Sequence, residues 1–184
     1  MKKIWILLII LIIAISFSAC SSGNKEIAGK TTKETQENGK NGAEKIFRIP
    51  DFNSVDLNGN EVSNDFFASN NLTLINVWTT TCPSCLGEIE TLQEIKEMYI
   101  NKGVRVLGIL ADGEVEKGKA YISQKDAEYI NILPTESLIT GFLDGIMYVP
   151  TALFVDNNGA MIGEIMVGAK STEEFSKLID SILE

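Results

Sequence analysis

The chain is 184 residues long and 45% hydrophobic, enough to bury one substantial core. It carries 16 basic against 25 acidic side chains, a net charge of −9, which argues against nucleic acid as a partner. With three cysteines and no histidine, a structural zinc centre, which takes about four ligands, is poorly supplied, and no metal site is expected.

Lys2 and Lys3, the apolar run Ile4 to Ile15 and the segment Ser16 to Ala19 have the layout of an export signal over residues 1–19. The apolar run is short beside the roughly 20 residues of a membrane span. Counting Ser16 to Ala19 with it leaves an uncleaved N-terminal helix as the alternative. Removal of 1–19 takes two lysines and no acid, leaving 14 basic against 25 acidic side chains and a charge of −11. Residues 20–45 follow as a flexible linker, with Ile27 the only large apolar residue in the polar stretch Ser21 to Lys45. As a random coil this stretch spans roughly 25–30 Å.

A folded domain is expected over 46–184. Phe47 to Leu57, the turn Asn58-Gly59-Asn60 and Glu61-Val62 read as a β-hairpin. Phe66 and Phe67 are expected core anchors on a short helix. Leu72 to Trp78 reads as a buried strand by its apolar run. A helix then runs from about Cys82 or Ser84 to Ile100, with Leu86, Ile89, Leu92, Ile95, Met98 and Tyr99 as its core stripe and Gly103 past its end. Val104 to Leu110 is a second buried strand. Glu114 to Glu128 is weakly patterned and helical in part, Tyr129 to Leu133 a short strand, and Ser137 to Leu143 a short helix. Ala152 to Val155 and Ala160 to Val167 are strands joined by the turn Asp156-Asn157-Asn158-Gly159. Ser171-Thr172-Glu173-Glu174 is a capping box, and Phe175, Leu178, Ile179 and Ile182 form the apolar face of the last helix.

The chemistry concentrates in Cys82-Pro83-Ser84-Cys85, between the first long strand and its helix. Spacing i, i+3 puts both sulfurs on one helix face, close enough to bond. The positive end of the helix favours a thiolate at Cys82, Pro83 suits the first helical position, and Cys85, one turn deeper, is the resolving thiol. A C-x-x-C beside a β-α pattern reads as a redox motif. A purely structural disulfide is the weaker alternative, because so small a loop removes little chain entropy.

Two resemblances add to this. Phe17-Ser18-Ala19-Cys20 resembles a bacterial lipobox, which implies a lipid-modified Cys20 and anchorage to the outer side of the cell membrane. Residues 46–184 resemble the thioredoxin superfamily, and more narrowly its membrane-tethered TlpA/ResA-like (redoxin group) thiol–disulfide oxidoreductases. The likeness rests on Leu74-Ile75-Asn76-Val77-Trp78 leading to the cysteines, the preceding hairpin, Val149-Pro150-Thr151 before a strand, and the Asp156 to Gly159 turn. It implies an α/β thioredoxin-like fold, a central mixed sheet flanked by helices with an N-terminal hairpin. It further implies Cys82 as nucleophile, Cys85 as resolving cysteine, and Pro83, Val149 and Pro150 along the substrate groove, with Pro150 cis.

Glu88 occupies the position of an active-site glutamate in ResA-like members, where it relays a proton to or from the thiols; the alternative is a solvated surface carboxylate. Two departures stand out: Thr81 where many relatives have Trp, and Glu90 where they have Pro. Trp78 reads as a rim or core residue.

The expected activity is exchange of disulfides with exported proteins outside the cytoplasm, in the reducing direction, with no cofactor beyond the cysteine pair. The resemblance implies clients such as apocytochrome c or oxidised repair enzymes and a CcdA/DsbD-like membrane electron donor. Thr79-x-x-Cys82 partly imitates the peroxiredoxin pattern, so a thiol peroxidase is one alternative, although Ile75 stands where that family has Pro. A Sco-like metal-binding lipoprotein is another, lacking its histidine ligand. A plain adhesion lipoprotein leaves the thiol pair unexplained.

Overall fold

The computed structural model describes residues 47–184. The expected export signal, Cys20 and the linker up to residue 45 lie outside them.

The central strand is β3 (Leu72–Trp78), and every one of its residues is buried. An apolar run without alternation is what a strand covered on both faces requires. β4 (Val104–Leu110) lies parallel to it and β5 (Ile130–Ile132) parallel to β4; β6 (Thr151–Val155) and β7 (Met161–Val167) run antiparallel on the other side. The order β5-β4-β3-β6-β7 is that of a mixed, thioredoxin-like sheet.

Two apolar layers hold it. On one face Leu72, Leu74 and Trp78 meet Ile89, Leu92 and Ile95 of α2 (Pro83–Tyr99) and Phe175 and Ile179 of α5 (Thr172–Leu183). On the other, Ile75 and Val77 meet Leu107, Leu153, Phe142 and Phe67, the last carried by the short α1 (Asp65–Ala68). Each fully buried Leu, Ile or Phe contributes about 1.5–3 kcal/mol. An exposed ion pair such as Lys102–Asp180 (3.3 Å) contributes about 1 kcal/mol at most, so burial rather than surface charge sustains the sheet.

The hairpin is shorter than expected: β1 (Asn53–Val55) pairs with β2 (Glu61–Ser63). Residues 47–49 run instead along the β6–β7 end, where Ile49 N donates to Gly159 O (2.9 Å) and Met161 N to Phe47 O (2.9 Å). Pro50, with no N–H for a ladder, separates the two stretches. The hairpin covers the β5 edge through Leu133 N to Val55 O (3.0 Å) and Leu57 N to Asn131 O (2.9 Å).

The stripe on α2 is Cys85, Glu88, Ile89, Leu92, Gln93, Ile95 and Tyr99, with Leu86 half-buried. Met98, expected in the stripe, is 54% exposed, because it sits about 100° round the helix from Tyr99. Of the two expected anchors Phe67 is buried, and Phe66 packs its ring edge-on against it from a half-buried position. Leu178 on α5 is likewise exposed at 39%.

α3 (Val115–Gln124) falls within the weakly patterned stretch Glu114 to Glu128, and α4 (Glu136–Gly141) overlaps the short helix expected over Ser137 to Leu143. The Thr135 side chain caps α4, starting it one residue before the expected Ser137. The capping box on α5 forms with Ser171 and Glu174, and Gly103 turns left-handed (φ 77°) to close the segment after α2.

Near the sheet centre Gly108 on β4 has no room for a Cβ, which would collide with Asn131 Oδ1, the acceptor of Trp78 Nε1 at 2.8 Å. Gly108→Ala should therefore destabilise the fold by about 1–3 kcal/mol and perturb the Trp fluorescence. A urea midpoint equal to wild type would contradict this close packing.

Candidate active site

β3 delivers the chain to the site by ending in Trp78, whose indole is anchored under the sheet by Asn131. The following loop is fixed from β4's side. Thr80 donates to Asp112 Oδ2 through both its backbone N and its Oγ1, each at 2.8 Å. That pair of bonds sets where Cys82 emerges.

Cys82 is the N-cap residue of α2, in extended conformation (φ −100°, ψ 105°), and its sulfur accepts from Cys85 N at 3.2 Å. Pro83 holds the first helical position and is exposed. The two sulfurs are bonded, with Cα atoms 5.3 Å apart. Cys82 is half-buried and Cys85 is 2% exposed, so the pair is asymmetric towards solvent. Ser84 Oγ lies 3.3 Å from Cys82 Sγ, a hydroxyl able to donate to a thiolate. Thr81, exposed, stands beside it with its hydroxyl 3.5 Å from that of Thr79.

Val149–Pro150 closes the other side of the reactive sulfur. The peptide bond between them is cis, and Val149 O lies 3.5 Å from Cys82 Sγ. Pro150 is buried, and the preceding Met147 and Tyr148 project into solvent, 81% and 66% exposed. Two grooves, of about 930 and 510 Å³, lie against the hairpin and β5 and contain none of these residues.

Glu88 is 2% exposed, which removes the surface-carboxylate alternative. Its Oε2 accepts from Asn76 Nδ2 (2.9 Å) and its Oε1 from Lys170 N (2.7 Å). Burial pushes the carboxyl above its ordinary value and Glu174 adds to the rise, while the two hydrogen bonds and the Lys170 ammonium pull downward without cancelling it. Glu90, the departure from the family pattern, points outward and pairs with Lys125 at 3.0 Å.

Sequence reasoning missed Asn76, Asp112 and Lys170. Asn76 had a readable signal: a polar side chain amid the apolar run 74–78 must find a buried partner. Asp112 and Lys170 had none, since both lie in loops brought to the site only by the sheet.

A bonded cysteine pair at the start of the helix that follows the central strand of a thioredoxin-like sheet defines a thiol–disulfide oxidoreductase. The chain belongs to the AhpC/TSA family, whose model matches residues 47–174. It is similar to a thiol-disulfide oxidoreductase ResA of Bacillus thuringiensis subsp. konkukian, 28% identical over 153 residues, covering 83% of this chain and 82% of that one. A thiol:disulfide interchange protein DsbE of Haemophilus influenzae is 27% identical over 61% of each chain. Among solved structures, a thioredoxin-family thiol:disulfide interchange protein of Chlorobium tepidum superposes with a TM-score of 0.67 at 24% identity, over 76% of this chain and 97% of its own.

The raised Glu88 carboxyl has a consequence for stability. Between its ordinary value of 4.5 and its higher folded value, folding takes up a proton. Its contribution is therefore most favourable below the ordinary value and declines as pH climbs through the folded one. Urea midpoints of wild type relative to Glu88→Gln, measured from pH 4 to 8, should fall with rising pH; a flat or rising difference would contradict the burial assigned to this group.

Proposed function

We propose that this protein is an extracytoplasmic disulfide reductase that acts on exported proteins through Cys82 and Cys85. The observation that carries this reading is the asymmetric pair: a half-buried cysteine at the helix cap and a fully buried one a turn behind it.

In the reduced protein Cys82 is the thiolate, stabilised by the Cys85 amide, the Ser84 hydroxyl and the positive end of α2. It attacks a partner disulfide, forming one S–S bond between Cys82 and a partner sulfur while the other partner sulfur leaves as a thiolate and takes up a proton. Cys85 then gives its proton to Glu88 and attacks Cys82 Sγ. The Cys82–Cys85 bond forms as the bond between Cys82 and the partner breaks; the second partner sulfur leaves as a thiolate and takes up a proton, so the partner has gained two electrons and two protons.

Val149 and cis Pro150 border the approach to Cys82, and the exposed Pro83 follows it at the first position of α2. The exposed Met147 and Tyr148 beside them offer an adaptable apolar rim for an extended polypeptide. Recharging requires a two-electron thiol donor, for which the family resemblance supports a CcdA/DsbD-like membrane protein; apocytochrome c and oxidised repair enzymes are the corresponding clients. A lipidated Cys20 would hold the domain at the membrane's outer surface. No cofactor beyond the cystine takes part in this cycle.

A peroxidase reading gains no such support. Arg48 donates to Asn158 O and Arg105 to Ile100 O and Val104 O, so both arginines are engaged away from the sulfur.

Cys82→Ser should reduce insulin-disulfide cleavage to background, whereas Cys85→Ser in the native host should accumulate mixed disulfides with exported proteins. Hydrogen peroxide turnover retained by Cys85→Ser, with no trapped partner, would overturn the reductase reading in favour of a peroxidase.

A further inference from the structure

The buried carboxylate of Glu88 is held from two directions by elements that are remote from it in sequence. Asn76 comes from β3, at the middle of the sheet, where its Cα is paired with Gly108 on β4 and Ala152 on β6. Asn76 is itself 2% exposed, and its Nδ2 reaches Glu88 Oε2 at 2.9 Å. The Lys170 amide comes from the turn between β7 and α5 and reaches Oε1 at 2.7 Å. That turn is braced by the lysine's own ammonium, which donates to Val167 O and Gly168 O, each at 3.0 Å. The turn is also tied to the substrate-facing loop, because Gly168 N donates to Pro150 O at 2.8 Å.

We propose that Asn76 and the Lys170 amide are positioning groups for the exchange reaction, holding the Glu88 carboxylate as the acceptor of the Cys85 proton. The Gly168–Lys170 turn then joins that carboxylate to the loop carrying Val149 and Pro150. The inference deepens the reading above and rests on Glu88 being the proton acceptor.

The chemistry requires such groups. A carboxylate this deep pays for lost hydration, and hydrogen bonds donated to its ionised form, together with the Lys170 ammonium, keep it able to accept a proton. Both contacts are donors and each occupies a different oxygen, so neither can replace the other. The charged and titratable groups facing Glu88 are the Lys170 ammonium from the turn, Glu174 from α5, the buried Tyr129 hydroxyl from the loop leading into β5, and the cysteine pair on its own helix. Asn76 is the neutral donor among them, so replacing it removes a hydrogen bond without altering the charges.

The test uses the reduced full-length chain carrying Cys20→Ser, so that Cys82 and Cys85 are its only thiols, and 5,5′-dithiobis(2-nitrobenzoate). Cys82 attack releases one thionitrobenzoate; Cys85 attack on the resulting mixed disulfide releases the second. The first release is the internal reference, and the pH dependence of the second reads the proton acceptor. Glu88→Gln should slow the second release about a hundredfold. Asn76→Leu should move its pH midpoint upward by about one unit, the loss of one hydrogen bond to the ionised form, and should have no further effect in the Glu88→Gln background. Lys170→Pro, which removes the amide donor, should move the midpoint further than Lys170→Met, which keeps it; this comparison decides the matter if Asn76→Leu does not fold. A second release unaffected by Glu88→Gln would overturn the proton-acceptor reading and this inference with it. A second release slowed by Glu88→Gln, with the midpoint unmoved by Asn76→Leu and equal in the two Lys170 variants, would overturn this inference alone.

Discussion

The function of this molecule depends on where a single sulfur sits: Cys82, at the cap of α2, accepts a hydrogen bond from Cys85 N and faces the Val149 carbonyl. A helix N-terminus carries unpaired N–H groups and a partial positive charge, and both favour sulfur as an anion. The rest of the fold keeps that sulfur in place. β3 fixes the height of the helix start, Asp112 grips the intervening loop through Thr80, and the Val149–Pro150 loop sets the opposite wall. Cys85, one turn along, is withheld from solvent, so the two thiols differ in exposure although they share a helix face.

Beneath that surface the site is unusually polar for a protein core. Glu88 and Asn76 are both 2% exposed, and Trp78 and Asn131 form a second buried pair at β3's end. Buried polar groups are tolerated when they are paired, and these are. They also hold the first turns of α2 and the end of β3 in register with the sheet, so the position of the cystine is overdetermined by hydrogen bonds as well as by apolar packing. Glu88 stands apart because it keeps a titratable group one turn behind the resolving cysteine, at a cost in stability that a purely structural residue would not need to impose.

Much of this was legible in the sequence, for reasons that differ by element. β3 and β4 were readable to the residue because a strand covered on both faces is written as an apolar run with sharp ends. The α5 capping box was readable because its chemistry is local. The hairpin was overextended because Phe47 and Ile49 look like strand residues, and only the tertiary structure reveals that they run beside the β6–β7 turn. The cysteines announced themselves by spacing. Glu88 could be placed on the right helix face, but whether it was solvated depended on what covers that face, and the turn holding Lys170 arrives from 82 residues further along the chain.

The claim that a stabilised sulfur anion stands at the cap of α2 is tested most directly in a protein that keeps Cys82 as its single thiol, by the pH dependence of its alkylation with iodoacetamide. The account predicts a midpoint well below the roughly 8.5 of an ordinary cysteine thiol. A midpoint at or above that value would contradict it.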